Sequence, residues 1–191
     1  MKSETLAPLP AIFVRDAAEE DFAAIQGIYA DEVLRGLATF EEVPPTASEL
    51  LLRRNAVLDL GLPYLVAEQD GTVVGYSYAA LYRARPAYRY TLEDSVYVAE
   101  AARGHGVGGA LLSVLIDRCE TGPWRQMIAV IGHSGNSGSI ALHRRFGFSD
   151  IGTHPAVGFK LGRWVDTVLM QRSLGVGHRH TPTDEADSSS G

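Results

Sequence analysis

The sequence predicts a mixed α/β (α+β) domain in which helices pack on a mostly antiparallel sheet. Three observations carry this reading. Apolar residues recur at helical spacing in long segments, and short apolar runs of strand length lie between them. A tight-turn dipeptide joins two such runs. The segments follow one another as β-α-α-β-β-β-α-β-α-β-β, an order that gathers strands into one sheet with helices around it.

Each element has its own warrant. Ile12-Phe13-Val14-Arg15 reads as the first strand. Ala18 to Arg35 reads as a helix, with Phe22, Ile25, Ile28, Tyr29 and Val33 on one face. Pro44-Pro45 interrupts the chain, and Ser48 is placed as the cap of a second helix running through Val57. Pro63 to Glu68 and Thr72 to Tyr78 flank Gln69-Asp70-Gly71, a hairpin signal because both central turn residues can adopt positive φ. Tyr90 to Val98 is a strand, Gly106 to Glu120 a helix, Gln126 to Ile131 a strand and Asn136 to Phe146 a helix. Phe148 to Gly152 and Arg163 to Met170 close the domain as strands. Residues 1–10 are Pro-interrupted and expected to be flexible, 11–175 form the domain, and 176–191 hold little to bury and are expected to be disordered.

Composition narrows the function classes. The 191 residues are 46% hydrophobic and 21% charged, which is globular composition and neither fibrous nor disordered. The formal charge of −6 lacks the basic footprint of a sequence-independent nucleic-acid binder, although a local basic patch for a phosphate remains compatible with it. No stretch approaches a membrane span, and the N-terminus lacks a signal-peptide core, so a cytoplasmic protein without membrane attachment is expected. The single cysteine, Cys119, sits in an apolar helical run and reads as a buried, inert thiol. His178 and His180 fall short of a structural metal site, which takes about four ligands, and no metal is expected.

The most informative segment runs from Asp94 to Leu112. A strand enters a glycine-rich turn, Arg103-Gly104-His105-Gly106-Val107-Gly108-Gly109, which opens an amphipathic helix. Glycines let backbone N–H groups approach an anion, and a helix N-terminus adds unpaired donors and the positive end of the dipole. A Walker loop is excluded, because no Lys follows the glycines in the required place. The glycine spacing also misses the dinucleotide fingerprint. From the residues alone, a plain glycine turn, a variant Rossmann loop and another kind of pyrophosphate cradle all stay open.

Arg103-Gly104-His105-Gly106-Val107-Gly108 resembles the Arg/Gln-x-x-Gly-x-Gly/Ala loop of the GCN5-related N-acetyltransferase (GNAT) superfamily. Asn136-x-x-Ser139-x-x-x-His143-x-x-x-Gly147-Phe148 resembles its second signature, a helix closing on Gly-Phe. Tyr82-Arg83-Ala84-Arg85-Pro86-Ala87-Tyr88, Thr91 to Val98, and Val157 to Asp166 are similar to the phosphinothricin and methionine sulfoximine N-acetyltransferases within it. The resemblance spans roughly residues 12–172. It implies the GNAT fold, a central twisted, mostly antiparallel sheet flanked by about four helices. It also implies transfer of acetyl from acetyl-coenzyme A (acetyl-CoA) to the α-amine of a small amino-acid analogue.

The resemblance assigns roles. Glu93 is the implied general base for the substrate ammonium. His143 stands where many relatives carry a Tyr that protonates the leaving thiolate, and acid, base and orienting roles stay open for it. The implied cofactor residues are Val96, Tyr97, Val98, Arg103, Gly104, His105, Gly106, Val107, Gly108, Gly109, Asn136 and Ser139, the strand N–H groups also serving the developing oxyanion. Asn136 has a second reading as a helix cap. Phe40, Arg83, Arg85, Tyr88, Glu93 and Ser95 are the implied substrate residues. Arg83 and Arg85, two apart on a stretch read as extended, would share a face and pair with carboxylate or phosphinate oxygens. Trp164 is read as a wall of the pocket and Trp124 as packing or interface. A homodimer is expected, because the family's final strands often pair two subunits. The competing readings are an acetyltransferase for another amine or a protein N-terminus, and an acyl-CoA-binding sensor without turnover.

Overall fold

The computed structural model describes residues 11–182. The chain forms one sheet of seven strands in the order β1-β2-β3-β4-β5-β7-β6. These are β1 (Phe13–Asp16), β2 (Tyr64–Gln69), β3 (Thr72–Leu81), β4 (Thr91–Val98), β5 (Gln126–Gly132), β6 (Ser149–Lys160) and β7 (Arg163–Ser173). The helices are α1 (Phe22–Arg35), α2 (Ala47–Asp59), α3 (Val107–Glu120) and α4 (Ser137–Arg145). All neighbouring strands are antiparallel except β4 and β5. This is the element order and sheet sense expected from the sequence. No helix among the described residues is long and apolar enough to cross a membrane.

The local reasons are visible in the sequence. Asp70 (φ 49°) and Gly71 (φ 75°) form the two-residue turn between Gln69 and Thr72, a pair that twists with the strands. Leu161 (φ 50°) and Gly162 (φ 74°) repeat that turn between Lys160 and Arg163. Four tyrosines, Tyr64, Tyr76, Tyr78 and Tyr97, stack across β2, β3 and β4, and Tyr29 of α1 meets Tyr97 edge-on at 5.2 Å. On the opposite face of β3, a Cβ at Gly75 would stand 3.1 Å from both Val107 and Leu111 of α3. Glycine there lets the helix lie close to the sheet. Cys119 is buried in this layer and its thiol is pushed up to about 12 by burial, as expected of an inert cysteine. Trp124 packs against the core.

Three expectations are corrected. Thr46, and not Ser48, caps α2: its hydroxyl accepts from Glu49 N at 3.2 Å while the Glu49 carboxylate accepts from Thr46 N at 2.7 Å. The capping box needs an acid three residues on, which Thr46 has and Ser48 lacks. The strand expected to stop at Gly152 continues to Lys160, with register shifts between Asp150 and Gly152 and between His154 and Gly158. Pro155 suggests a break, but β6 is an edge strand, where a missing N–H and a bulge are tolerated. The tail expected from 176 begins with a 3-10 turn, Gly177–Arg179, in which Gly177 N donates to Leu174 O at 2.9 Å. Residues 1–10 and 183–191, where flexibility is expected, lie outside the described residues.

The parallel pair creates the opening. β4 and β5 are joined only from Thr91↔Gln126 to Asp94↔Ala129. Beyond that, β4 stays with β3 as far as Val98↔Gly75, and β5 stays with β7 as far as Gly132↔Thr167. The two strands part there, and residues 95–98 and 130–132 face each other without a ladder between them.

Candidate active site

A cavity of about 960 Å³ occupies this parting of the sheet. Its floor is Glu93 to Val98 of β4, with Ala129 to Gly132 of β5 opposite. The turn before α3 closes one end, α4 one side, and the segment Gly36–Phe40 after α1 the other.

The glycine turn has the form of an anion cradle. Gly104 (φ 79°) and Gly106 (φ 90°) take left-handed backbone conformations that ordinary residues avoid. Gly106 is the N-cap of α3 and has no side chain with which to bond the first amides. The intrahelical ladder starts only when Ala110 N donates to Gly106 O at 3.0 Å. The amides of residues 107–109 therefore lack helical partners at the positive end of the dipole. A Cβ on Gly104 would meet nothing within 4 Å, so the turn is open in front of the backbone. Arg145 of α4 lies on the same wall, 3.8 Å from where a Gly109 Cβ would stand. These features fit a pyrophosphate. Arg103 also reaches the cavity, but its guanidinium is engaged: Nε donates to Val98 O at 3.1 Å and one terminal nitrogen is paired with the Glu32 carboxylate.

Glu93, Ser95, Val96, Tyr97, Val98, Arg103, Gly104, Gly106, Val107, Gly108, Gly109, Asn136, Ser139, His143 and Phe40 all line this one cavity. Asn136 combines lining with capping, since its side-chain oxygen accepts from Ser139 N at 3.2 Å. Burial raises the Glu93 carboxyl to about 7, the neighbouring Asp94 charge adds to the rise, and Arg83 opposes it. A carboxyl poised there is half ionised near neutrality, the condition for a general base.

His143 is buried, not a surface residue of α4. Its Nδ1 faces Ser139 O at 2.7 Å, and its Nε2 faces Asp94 Oδ2 at 3.0 Å. A carbonyl can only accept, so Nδ1 carries a proton. The second proton on Nε2 then suits the carboxylate. Burial works against the charged ring, but the bond to Asp94 and its charge outweigh it and raise the imidazole above its ordinary value. Asp94 is the residue that the sequence reading missed. It sits in the strand motif with no signal of its own, and its partner is remote in the chain. Its second oxygen, Oδ1, is buried without a hydrogen-bond partner.

Five expectations fall outside the cavity wall. Arg83, Arg85 and Tyr88 lie between β3 and β4 on bends and a 3-10 turn, Pro86–Tyr88, and not on an extended stretch. The ladder ends at Leu81, before either arginine, and Pro86, with its fixed φ, opens the 3-10 turn beyond it. All three side chains are exposed, and Arg83 stacks over the Tyr82 ring at 5.0 Å. Of the three, Arg83 still acts on the site through its charge at Glu93. His105 is exposed and off the wall. Trp164 is 67% exposed and meets Phe159 at 5.3 Å across the β6–β7 hairpin. Besides Arg103 and Arg145 near the glycine turn, the arginines Arg35 and Arg163 line the cavity.

A splayed sheet with a glycine cradle at the strand end makes a site for a ligand carrying an anion such as pyrophosphate, and residues 30–148 match the acetyltransferase (GNAT) family. The chain belongs to that family, the acetyl-CoA-dependent N-acetyltransferases resembled on sequence grounds. It is 56% identical over 172 residues to a phosphinothricin N-acetyltransferase of Alcaligenes faecalis, spanning 90% of this chain and 87% of that one. It is 41% identical to an L-methionine sulfoximine/L-methionine sulfone acetyltransferase of Pseudomonas aeruginosa, over 84% of this chain and 94% of that one. Its fold matches the crystal structure of a phosphinothricin acetyltransferase from Sinorhizobium meliloti in complex with acetyl-CoA. That match has a TM-score of 0.88 at 48% identity and covers 91% of this chain and 94% of that one.

Proposed function

We propose that this enzyme moves acetyl from acetyl-CoA to the α-amine of a small amino-acid analogue of the phosphinothricin, methionine sulfoximine or methionine sulfone type. The observation that carries the mechanism is Glu93, raised to about 7 beside the parting strands and within one cavity with the glycine cradle. The cradle and the amides of residues 107–109 hold the pyrophosphate, and Arg145 adds charge at that end. Bound acetyl-CoA supplies an acyl thioester. The unpaired strand edge at residues 95–98 offers backbone donors toward the thioester carbonyl. An α-ammonium is not a nucleophile, and Glu93 takes its proton directly or through a water. His143 is not that acceptor, because both its nitrogens already face protein oxygens. It serves to tie α4 to β4 through its bonds to Ser139 O and Asp94. The relatives' named substrates support the amine class, and Arg35 and Arg163 are the cavity cations suited to an anionic substrate group.

Coenzyme A release tests this directly with phosphinothricin, methionine sulfoximine, methionine sulfone, spermidine and an N-terminal peptide as acceptors. Saturable release is expected with the first three. Release only with spermidine or the peptide overturns the substrate, and tight acetyl-CoA binding with no release to any acceptor leaves a different amine or a sensor, which a wider amine screen separates.

We propose further that two copies associate through the β6–β7 hairpin. Val157, Phe159, Leu161 and Trp164 leave apolar surface exposed together there, more than an isolated surface residue would. Sedimentation is expected to give a dimer mass for the wild type and a monomer mass for the double variant Phe159→Asp, Trp164→Asp. A monomeric wild type refutes the association.

A further inference from the structure

Lys160 ends β6 and is only 2% exposed, yet it belongs neither to the cavity wall nor to the chemistry above. Its ammonium donates to Glu32 O at 3.1 Å and to Thr39 O at 2.8 Å. Glu32 lies in the last turn of α1, where a cation meets the negative end of the dipole. Thr39 lies in the segment Gly36–Phe40 that walls the cavity. An ammonium this deep is tolerated only with acceptors around it, so the hairpin, the end of α1 and the wall segment are held as one body.

Other contacts seat that segment. A Cβ at Gly132 would stand 2.1 Å from Leu37 O, and one at Gly158 would stand 2.0 Å from the Phe40 ring. Tyr29 and Thr39 share a hydroxyl–hydroxyl bond of 2.9 Å. The other end of the network reaches the cradle, because the Glu32 carboxylate is paired with Arg103. Contacts therefore link Arg103 to the Glu32 carboxylate, and the Glu32 backbone carbonyl through the Lys160 ammonium to Thr39 O, so Glu32 joins the anion loop to the wall segment by its two ends.

We propose that Lys160 is a positioning residue that, with Glu32, couples occupancy of the pyrophosphate cradle to the ordering of the wall segment Gly36–Phe40. Arg103 cannot serve a phosphate and Glu32 equally. A pyrophosphate in the cradle draws the guanidinium toward itself and frees the Glu32 carboxylate, whose charge already acts on the Lys160 ammonium bound to its backbone carbonyl, to turn toward that ammonium. That ammonium is then held more firmly between Glu32 and the Thr39 carbonyl, and the wall is set before the amine enters. The coupling rests on acetyl-CoA binding and is independent of which amine is acetylated.

Hydrogen exchange read by mass spectrometry, with coenzyme A as the probe, tests it without any acceptor amine. In the wild type, saturating coenzyme A should slow exchange in Gly36–Phe40 by about 5-fold or more, the low end of ordinary coupling between sites. Lys160→Met keeps the shape of the stem and removes the charge. It should bind coenzyme A within about 3-fold of wild type, by calorimetry, while losing the added protection. Glu32→Gln should lose the protection yet bind coenzyme A somewhat more tightly, since Arg103 is released in advance. A purely structural role would not produce that opposite pair of effects. Protection retained in Lys160→Met would show direct cover by the ligand and overturn the proposal. So would an unchanged segment in the wild type. If Lys160→Met does not fold, Glu32→Gln carries the test alone. Absence of coenzyme A binding would instead refute the reading of the cradle.

Discussion

Replacing Glu93 with glutamine is expected to lower kcat by about 10²–10⁴-fold and to leave acetyl-CoA binding unchanged. The substitution keeps the shape and removes the proton acceptor. In the wild type, kcat/KM should rise with pH and level off above about 7, where the carboxyl is ionised. The variant's residual activity should lose that limb. A pH profile and an acetyl-CoA titration settle the matter, and a variant with near-normal kcat refutes the assignment. The same shift has a stability consequence. The folded-state value lies above the unfolded value, so the native state prefers the protonated carboxyl. The native state is therefore penalised as pH rises from the unfolded value toward about 7, and the penalty is complete above that. Its ceiling is about 3 kcal/mol, reduced by solvent screening at the cavity mouth. Glu93→Gln should accordingly raise Tm at pH 8 and leave it unchanged at pH 4. Gain of stability with loss of rate would mark Glu93 as a group kept strained for its function.

Which parts were legible follows from how far each signal reaches along the chain. The Asp70-Gly71 turn, the Gly104 and Gly106 positions and the amphipathic helices are local patterns, and local physics fixes them. The parting of β4 from β5 follows from neither strand alone. It depends on β4 ending its partnership with β5 at Asp94 while β3 continues, a matter of register across the sheet. The same holds for the charged groups. Asp94 meets His143 across 49 positions, Arg103 meets Glu32 across 71, and Lys160 meets Thr39 across 121. Nothing in the spacing of such residues announces the pair. Arg83 and Arg85 show the reverse error: their spacing suggests a shared strand face, but the ladder ends at Leu81, before either of them, and Pro86 then opens a 3-10 turn. The resemblance puts Trp164 at the pocket because it lies in the subfamily's final signature, yet alternation on β7 turns it outward while Val165 goes in.

The buried Asp94–His143 pair supplies the second large effect. His143→Leu should destabilise the fold by about 3–5 kcal/mol at neutral pH, because it strands the Asp94 carboxylate without a partner in a dry site. Asp94→Asn should cost much less. The asparagine amide can donate to an unprotonated Nε2 while Nδ1 still donates to Ser139 O, so the bonds survive and only the charges go. The two variants separate charge from shape, and their pH dependence fixes the sign. The His143 value is raised in the folded protein, so the pair contributes stability that is complete below the ordinary imidazole value and is lost as pH rises through the raised one. The Tm deficit of Asp94→Asn should therefore shrink with rising pH across that interval. A deficit constant with pH would mean that the ring is neutral throughout. The same substitution removes one of the two causes that lift Glu93, and the acidic limb of its kcat/KM profile should move to lower pH. If the limb stays in place, Asp94 does not tune the base, and burial alone holds Glu93 near neutrality.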